Sequence, residues 1–92
     1  MTEPRKEQVK EVIDGDTFLT TRRKHPVRLE GVDTPEKRQP GYQQAKKELE
    51  KLIKDKKVTV DTVARDKYRR PVAKVKVDGR SVNKAMQKHR KK

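Results

Sequence analysis

Val27-Arg28-Leu29-Glu30-Gly31-Val32-Asp33-Thr34-Pro35-Glu36 decides the fold. Its first four residues alternate. Val27 and Leu29 fall on one face and Arg28 and Glu30 on the other, which is the period of a strand with one side buried. Gly31 then lets the backbone bend or approach a neighbour closely. Pro35 bars Thr34 from the helical region and fixes the direction of exit. A buried strand therefore hands over to a stiff corner carrying Asp33, Thr34 and Glu36, with the Arg28 cation close behind. A site for a metal and a phosphate would use such an arrangement. Taken by itself, the stretch reads more simply as a polar strand end with an exposed turn.

Upstream, residues 8–13 read as a first strand with Val9, Val12 and Ile13 as its apolar contacts, and residues 16–21 as a second. Asp14-Gly15 between them is a hairpin signal, because both residues tolerate positive φ. Asp16 falls just past that turn, where a carboxylate is more than the turn requires. Residues 22–26 are basic and end in Pro26, so they form a surface loop in which His25 is a turn residue rather than a general base.

Downstream, Pro40-Gly41 punctuates a loop, and the period then changes. Tyr42, Ala45, Leu49, Leu52 and Ile53 share one helical stripe running to about Lys54. Residues 58–63 return to period two as strand four, 64–70 form a basic connection, and 71–77 are strand five, ended by Asp78-Gly79. Ser81 is a good N-cap for a last helix with Val82, Ala85, Met86 and His89 on one face. Residues 1–6 and 88–92 are expected to be disordered. Three strands, a helix, two strands and a helix make a mainly β, single-domain layout over 1–92: a five-stranded barrel of the OB type, with one helix between strands 3 and 4 and one at the C-terminus.

The balance of 27 Lys and Arg against 14 Asp and Glu, a net charge of +13 on 92 residues, points to a polyanionic partner. No amphipathic helix has the bulky aromatic face that would favour a membrane surface. There is no cysteine to bind zinc or form a disulfide. No apolar run follows the N-terminus, so the chain as given is expected to be cytoplasmic, or secreted if it derives from a trimmed precursor.

Three charged clusters stand at strand ends: Asp14-Gly15-Asp16-Thr17, Arg28 with Asp33-Thr34-Pro35-Glu36, and Asp66-Lys67-Tyr68-Arg69-Arg70. In these, and in Val82-Asn83 after the Asp78-Gly79 turn, the chain resembles the staphylococcal nuclease-like (thermonuclease) family. The match runs from about Val9 to Ala85. The resemblance implies an OB-fold and a calcium-dependent endonuclease that hydrolyses DNA and RNA, single-stranded or frayed, to 3′-phosphates as a monomer. It implies that Asp16, Asp33 and the main-chain carbonyl of Thr34 ligate Ca2+. Glu36 would orient or deprotonate the attacking water, Arg28 and Arg70 would grip the scissile phosphate, and Tyr68 would lie beside the nucleotide with Lys67 and Arg69 at the substrate. The chemistry is self-consistent: calcium takes carboxylate and carbonyl oxygens, and guanidinium forks suit phosphoryl oxygens. The alternative is an OB-fold module that binds nucleic acid without turnover.

The chain departs from the family pattern at Arg69, where the family places a small residue. If that position needs positive φ, arginine there is strained. The loop at 37–39 and the connection at 62–66 are short for the family. The resemblance ends about where the family's second helix ends, so the tyrosines and final helix that follow in the family have no counterpart here. Base stacking is therefore expected to be poor, with binding that leans on Lys and Arg and weakens steeply with salt.

Overall fold

Phe18, Val27 and Leu29 are fully buried, and the three strands around them form the first half of the molecule. A computed structural model describes residues 6–87. β1 (Lys6–Asp14), β2 (Thr17–Thr20) and β3 (Val27–Leu29) run as an antiparallel meander, with Phe18 opposite Val27 and Thr17 opposite Arg28. α1 (Tyr42–Ile53) follows, then β4 (Lys57–Arg65), β5 (Pro71–Val77), β6 (Arg80–Ser81) and α2 (Val82–Met86).

The sheet order is β3-β2-β1-β4-β5-β6, and a parallel pairing of β3 with β5 joins Arg28 to Val72 and Leu29 to Ala73. That pairing closes the first five strands into a ring. The fold is thus mainly β, with two helices and an OB-like arrangement. The apolar core lies inside the ring and continues under α1, whose Ala45, Leu49 and Ile53 are buried. α1 packs on β1 and α2 on β5. Among the described residues no helix is long and apolar enough to cross a membrane.

Several boundaries differ from the sequence expectation. Lys6, expected in a disordered lead-in, pairs with Thr59 as the first residue of β1. The expectations for 1–5, for 88–92 and for His89 lie outside the described residues. β4 continues to Arg65, so residues 64 and 65, expected in the basic connection, are strand. A register shift between Thr62 and Ala64 breaks the alternation there, and Asp61 to Arg65 are all exposed, so no apolar period marks them. β6 was not expected. Two residues carry no periodicity, and the strand exists because Asp78 and Gly79, at φ 50° and 80°, turn Arg80 back to pair with Val77. Ser81 caps α2 as expected, its hydroxyl accepting from Lys84 N–H at 3.2 Å.

The hairpin between β1 and β2 holds a larger correction. Asp14 pairs with Thr17, so the turn residues are Gly15 and Asp16. Gly15 is not among the positive-φ residues. It is needed for space instead: a Cβ there would come within 2.7 Å of Ala45 Cβ on α1 and 2.7 Å of Thr34 Oγ1.

Candidate functional site

The close approach at Gly15 brings the β1–β2 turn against the corner after β3. Asp16 Oδ2 accepts from Thr34 N–H at 3.4 Å, and its Oδ1 accepts from the Thr17 hydroxyl at 2.9 Å. Asp14 Oδ1 accepts from Asp16 N–H at 3.1 Å and so shapes the turn. Gly31, at φ 70°, releases the chain from β3 into the corner. Arg28, opposite Thr17 on the neighbouring strand, reaches both carboxylates: its Nη2 lies 3.8 Å from Asp16 Oδ2 and 4.0 Å from Asp33 Oδ1.

The third wall is the turn between β4 and β5. Asp66 Oδ1 accepts from Tyr68 N–H and Arg70 N–H, each at 2.9 Å, and Oδ2 accepts from Arg70 Nε at 2.6 Å. Tyr68 stands 64% exposed. Lys67 Nζ and the Arg70 guanidinium lie 5.1 and 5.4 Å from its ring centre, within cation–π range.

Together these walls enclose an open cleft of about 540 Å³ lined by Asp14, Asp16, Thr17, Arg28, Asp33, Thr34, Glu36, Asp66, Lys67, Tyr68 and Arg70. Of the residues singled out from sequence, Asp16, Arg28, Asp33, Thr34, Glu36, Lys67, Tyr68 and Arg70 meet here, although they come from three separate segments. Arg69 does not line the cleft. It sits at φ 65°, its N–H donates to Asp66 O at 2.9 Å, and its carbonyl accepts from Arg65 Nη1 at 3.3 Å. Asp14, Thr17 and Asp66 line the cleft but were not assigned to it. Asp14 was read as a turn residue. The sequence signal for Asp66 is a carboxylate four residues before an arginine in a tight loop, a recognisable pairing pattern.

Asp16 is only 8% exposed. Burial, and then the Asp14 carboxylate beside it, push its carboxyl up to about 6, against the opposing pull of the Thr17 hydroxyl and the Arg28 charge. Desolvation works to raise Asp66, but the Arg70 N–H, the Arg70 guanidinium and the Tyr68 N–H outweigh it and hold that carboxyl below its ordinary value.

Among the described residues no three His, Cys, Asp or Glu side chains are grouped to hold a metal ion. Two carboxylates with a main-chain carbonyl remain a sound donor set for a hard cation, and Asp16, buried, beside a second carboxylate and met by Arg28 only at 3.8 Å, fits that use.

Residues 26–89 match the family model described as staphylococcal nuclease homologue. A relative in Escherichia coli O157:H7 named an uncharacterized endonuclease is 35% identical over 82 residues, 86% of this chain and 54% of its own length. Another with the same name in Haemophilus influenzae is 37% identical over 84 residues, 88% of this chain and 47% of its own. An uncharacterized 38.1 kDa protein of Capnoides sempervirens is 38% identical over 66 residues, 72% of this chain and 20% of its own. The chain spans about half the length of the bacterial relatives.

Proposed function

The chain belongs to the staphylococcal nuclease homologue family, and on that footing we propose that it is a calcium-dependent endonuclease that hydrolyses phosphodiester bonds of DNA and RNA to leave 3′-phosphates. One observation carries this reading. In a strongly basic chain, a single cleft gathers five carboxylates, three cations and an exposed aromatic ring from three distant segments.

In this reading Asp16, Asp33 and the Thr34 carbonyl would hold Ca2+. When bound, the ion offsets charge on the phosphoryl oxygens and favours deprotonation of water. Arg28 and Arg70 each direct guanidinium N–H groups at the phosphoryl oxygens, where negative charge grows during in-line attack. Losing one such donor typically costs ~10²–10³ in rate. Glu36, on the exposed side of the corner, takes the proton of the attacking water. The water oxygen bonds to phosphorus, the bond from phosphorus to the 5′-oxygen breaks, and that oxygen leaves as the 5′-alcohol, taking its proton from solvent in the open cleft. Tyr68 flanks the nucleotide, with Lys67 supplying charge beside it; Arg69, outside the cleft lining, is given no part. His25 is exposed in its loop and takes no part.

The test is to incubate the protein with plasmid and denatured DNA in Ca2+, then in chelator, alongside Glu36→Gln. Cutting in Ca2+ that stops in chelator and falls at least tenfold in the variant is the expected outcome. Tight binding without cutting in any divalent metal would overturn the reading in favour of a non-catalytic nucleic-acid-binding module.

A further inference from the structure

An acidic residue beside a phosphate site is a liability unless its charge is consumed, and Asp66 lines the cleft. Its two oxygens are used differently. Oδ1 accepts the main-chain N–H groups of Tyr68 and Arg70 at 2.9 Å, which folds the loop. Among the described residues Oδ2 takes only Arg70 Nε, at 2.6 Å. The loop is closed a second time by main-chain bonds, Asp66 N to Arg70 O at 3.0 Å and Arg69 N to Asp66 O at 2.9 Å.

Arg70 could in principle direct any edge of its guanidinium at the cleft. Holding Nε leaves the two terminal amino groups as the free edge, and that edge matches two phosphoryl oxygens. The Tyr68 ring, 5.4 Å from the guanidinium carbon, lies beside the same group. Every other carboxylate of the cleft comes from the β1–β2 turn or the corner after β3, and none of them is recorded in an ion pair with Arg70 among the described residues.

We propose that Asp66 is a positioning residue: it acts through Arg70, fixing the guanidinium so that its terminal amino groups face the scissile phosphate. The proposal rests on the nuclease reading above. Asp66 does not touch substrate. It removes the torsional freedom that Arg70 would otherwise lose at each turnover, and a small misplacement of such a group is costly.

Asn and Ala at position 66 separate this role from loop building. One amide oxygen can keep the main-chain bonds of Oδ1, but the amide NH2 cannot accept from Nε. Asp66→Asn should therefore unfold within a few degrees of the wild type while kcat falls roughly 10- to 100-fold, with little change in KM. Asp66→Ala should lose the loop bonds as well and unfold at a lower temperature. In an Arg70→Ala background, Asp66→Asn should have no further effect on kcat, because the group it acts through is gone. An Asp66→Asn enzyme as fast as the wild type would overturn the proposal, and so would one whose loss is equally large with and without Arg70.

The Arg70 Nε–H resonance gives a second readout that needs no activity. It should exchange slowly in the wild type and be lost to solvent exchange in Asp66→Asn. If the wild type cuts no nucleic acid, the nuclease reading fails, and this resonance decides the positioning claim alone. A wild-type Nε–H already averaged with water would overturn it.

Discussion

Gly15→Ala probes the contact on which the site's geometry depends. The variant adds one methyl where two walls meet: 2.7 Å from Ala45 Cβ, 2.7 Å from Thr34 Oγ1 and 3.0 Å from Thr34 Cβ. Ala45 cannot swing away, because its Cβ is fixed to the α1 backbone and the residue is fully buried. Thr34 is held by Pro35 behind it and by its N–H bond to Asp16. Either α1 moves outward or the corner moves, and overpacking of this kind costs about 1–3 kcal/mol. The smaller unfolded-state entropy of alanine returns about 0.4–1 kcal/mol, because φ at residue 15 is not positive and no backbone strain arises. The net cost is then about 0.6–2 kcal/mol, and at roughly 4–8 °C per kcal/mol for a domain of this size the thermal midpoint followed by circular dichroism should fall by about 2–16 °C. If the corner yields, Thr34 and Asp33 shift relative to Asp16, and cutting should fall more than stability predicts, by ~10–10². Adding Ala45→Gly opens one of the two contacts at a helix-propensity cost of about 1 kcal/mol. It should restore part of the cutting rate, since the Thr34 contact remains. A Gly15→Ala protein that unfolds at the wild-type temperature and cuts at the wild-type rate would refute the steric reasoning.

Three further outcomes follow from single contacts. Glu7, only 7% exposed, accepts from Arg23 Nε and Nη2 at 2.7 and 2.8 Å and from the Thr20 hydroxyl at 2.9 Å. Burial alone would raise its carboxyl, but these bonds and the Arg23 charge hold it below the ordinary value. A depressed carboxyl contributes stability that is present above its unfolded pKa and is lost as pH falls through the folded one. Arg23→Met should therefore cost about 1–3 kcal/mol at pH 7 and move acid unfolding, followed by circular dichroism, to higher pH. Asn83 accepts from Val75 N–H at 2.8 Å and donates to Glu30 O and Ala73 O at 2.9 and 3.0 Å, tying the end of β3 to β5. Asn83→Ala leaves all three groups without that partner and should cost about 2–4 kcal/mol in urea unfolding. Arg69→Gly removes a positive-φ arginine and should raise the thermal midpoint by a few degrees, on the order of 0.5–1 kcal/mol.

The ring of strands was legible because buried positions alternate along β3 and β5 and a helical stripe stands between them. What escaped had no apolar signature. The outer half of β4 is exposed on every residue, and β6 is two residues long. The two Asp-Gly turns mark the limit of local reading. At Asp78-Gly79 the expected positive φ occurs at both residues. At Asp14-Gly15 it does not occur, because there the glycine answers to Ala45 and Thr34, which are distant in sequence. The motif residues were legible as a set. That Asp66 holds Arg70 follows from the way the loop folds, with Arg69 in the left-handed region that lets Arg70 turn back onto Asp66.

The charge of the cleft runs opposite to the charge of the chain. A basic surface attracts polyanions at any point, and by itself names no place where chemistry happens. Five carboxylates against three cations form a local reversal. Asp66 is taken up by Arg70, and Arg28 is divided between Asp16 and Asp33 at 3.8 and 4.0 Å, distances too long to satisfy either carboxylate fully. Asp14 and Glu36 add to the surplus. Asp33 and Glu36 are exposed, but burying Asp16 among them is costly for folding, so its place there is maintained against the interest of stability. A divalent cation would cancel it and release Arg28 toward a phosphate, which would in turn bring back negative charge for Arg28 and Arg70 to meet. The acid excess and the two arginines therefore suit a cation and a phosphodiester together better than either alone. Binding of one should strengthen binding of the other.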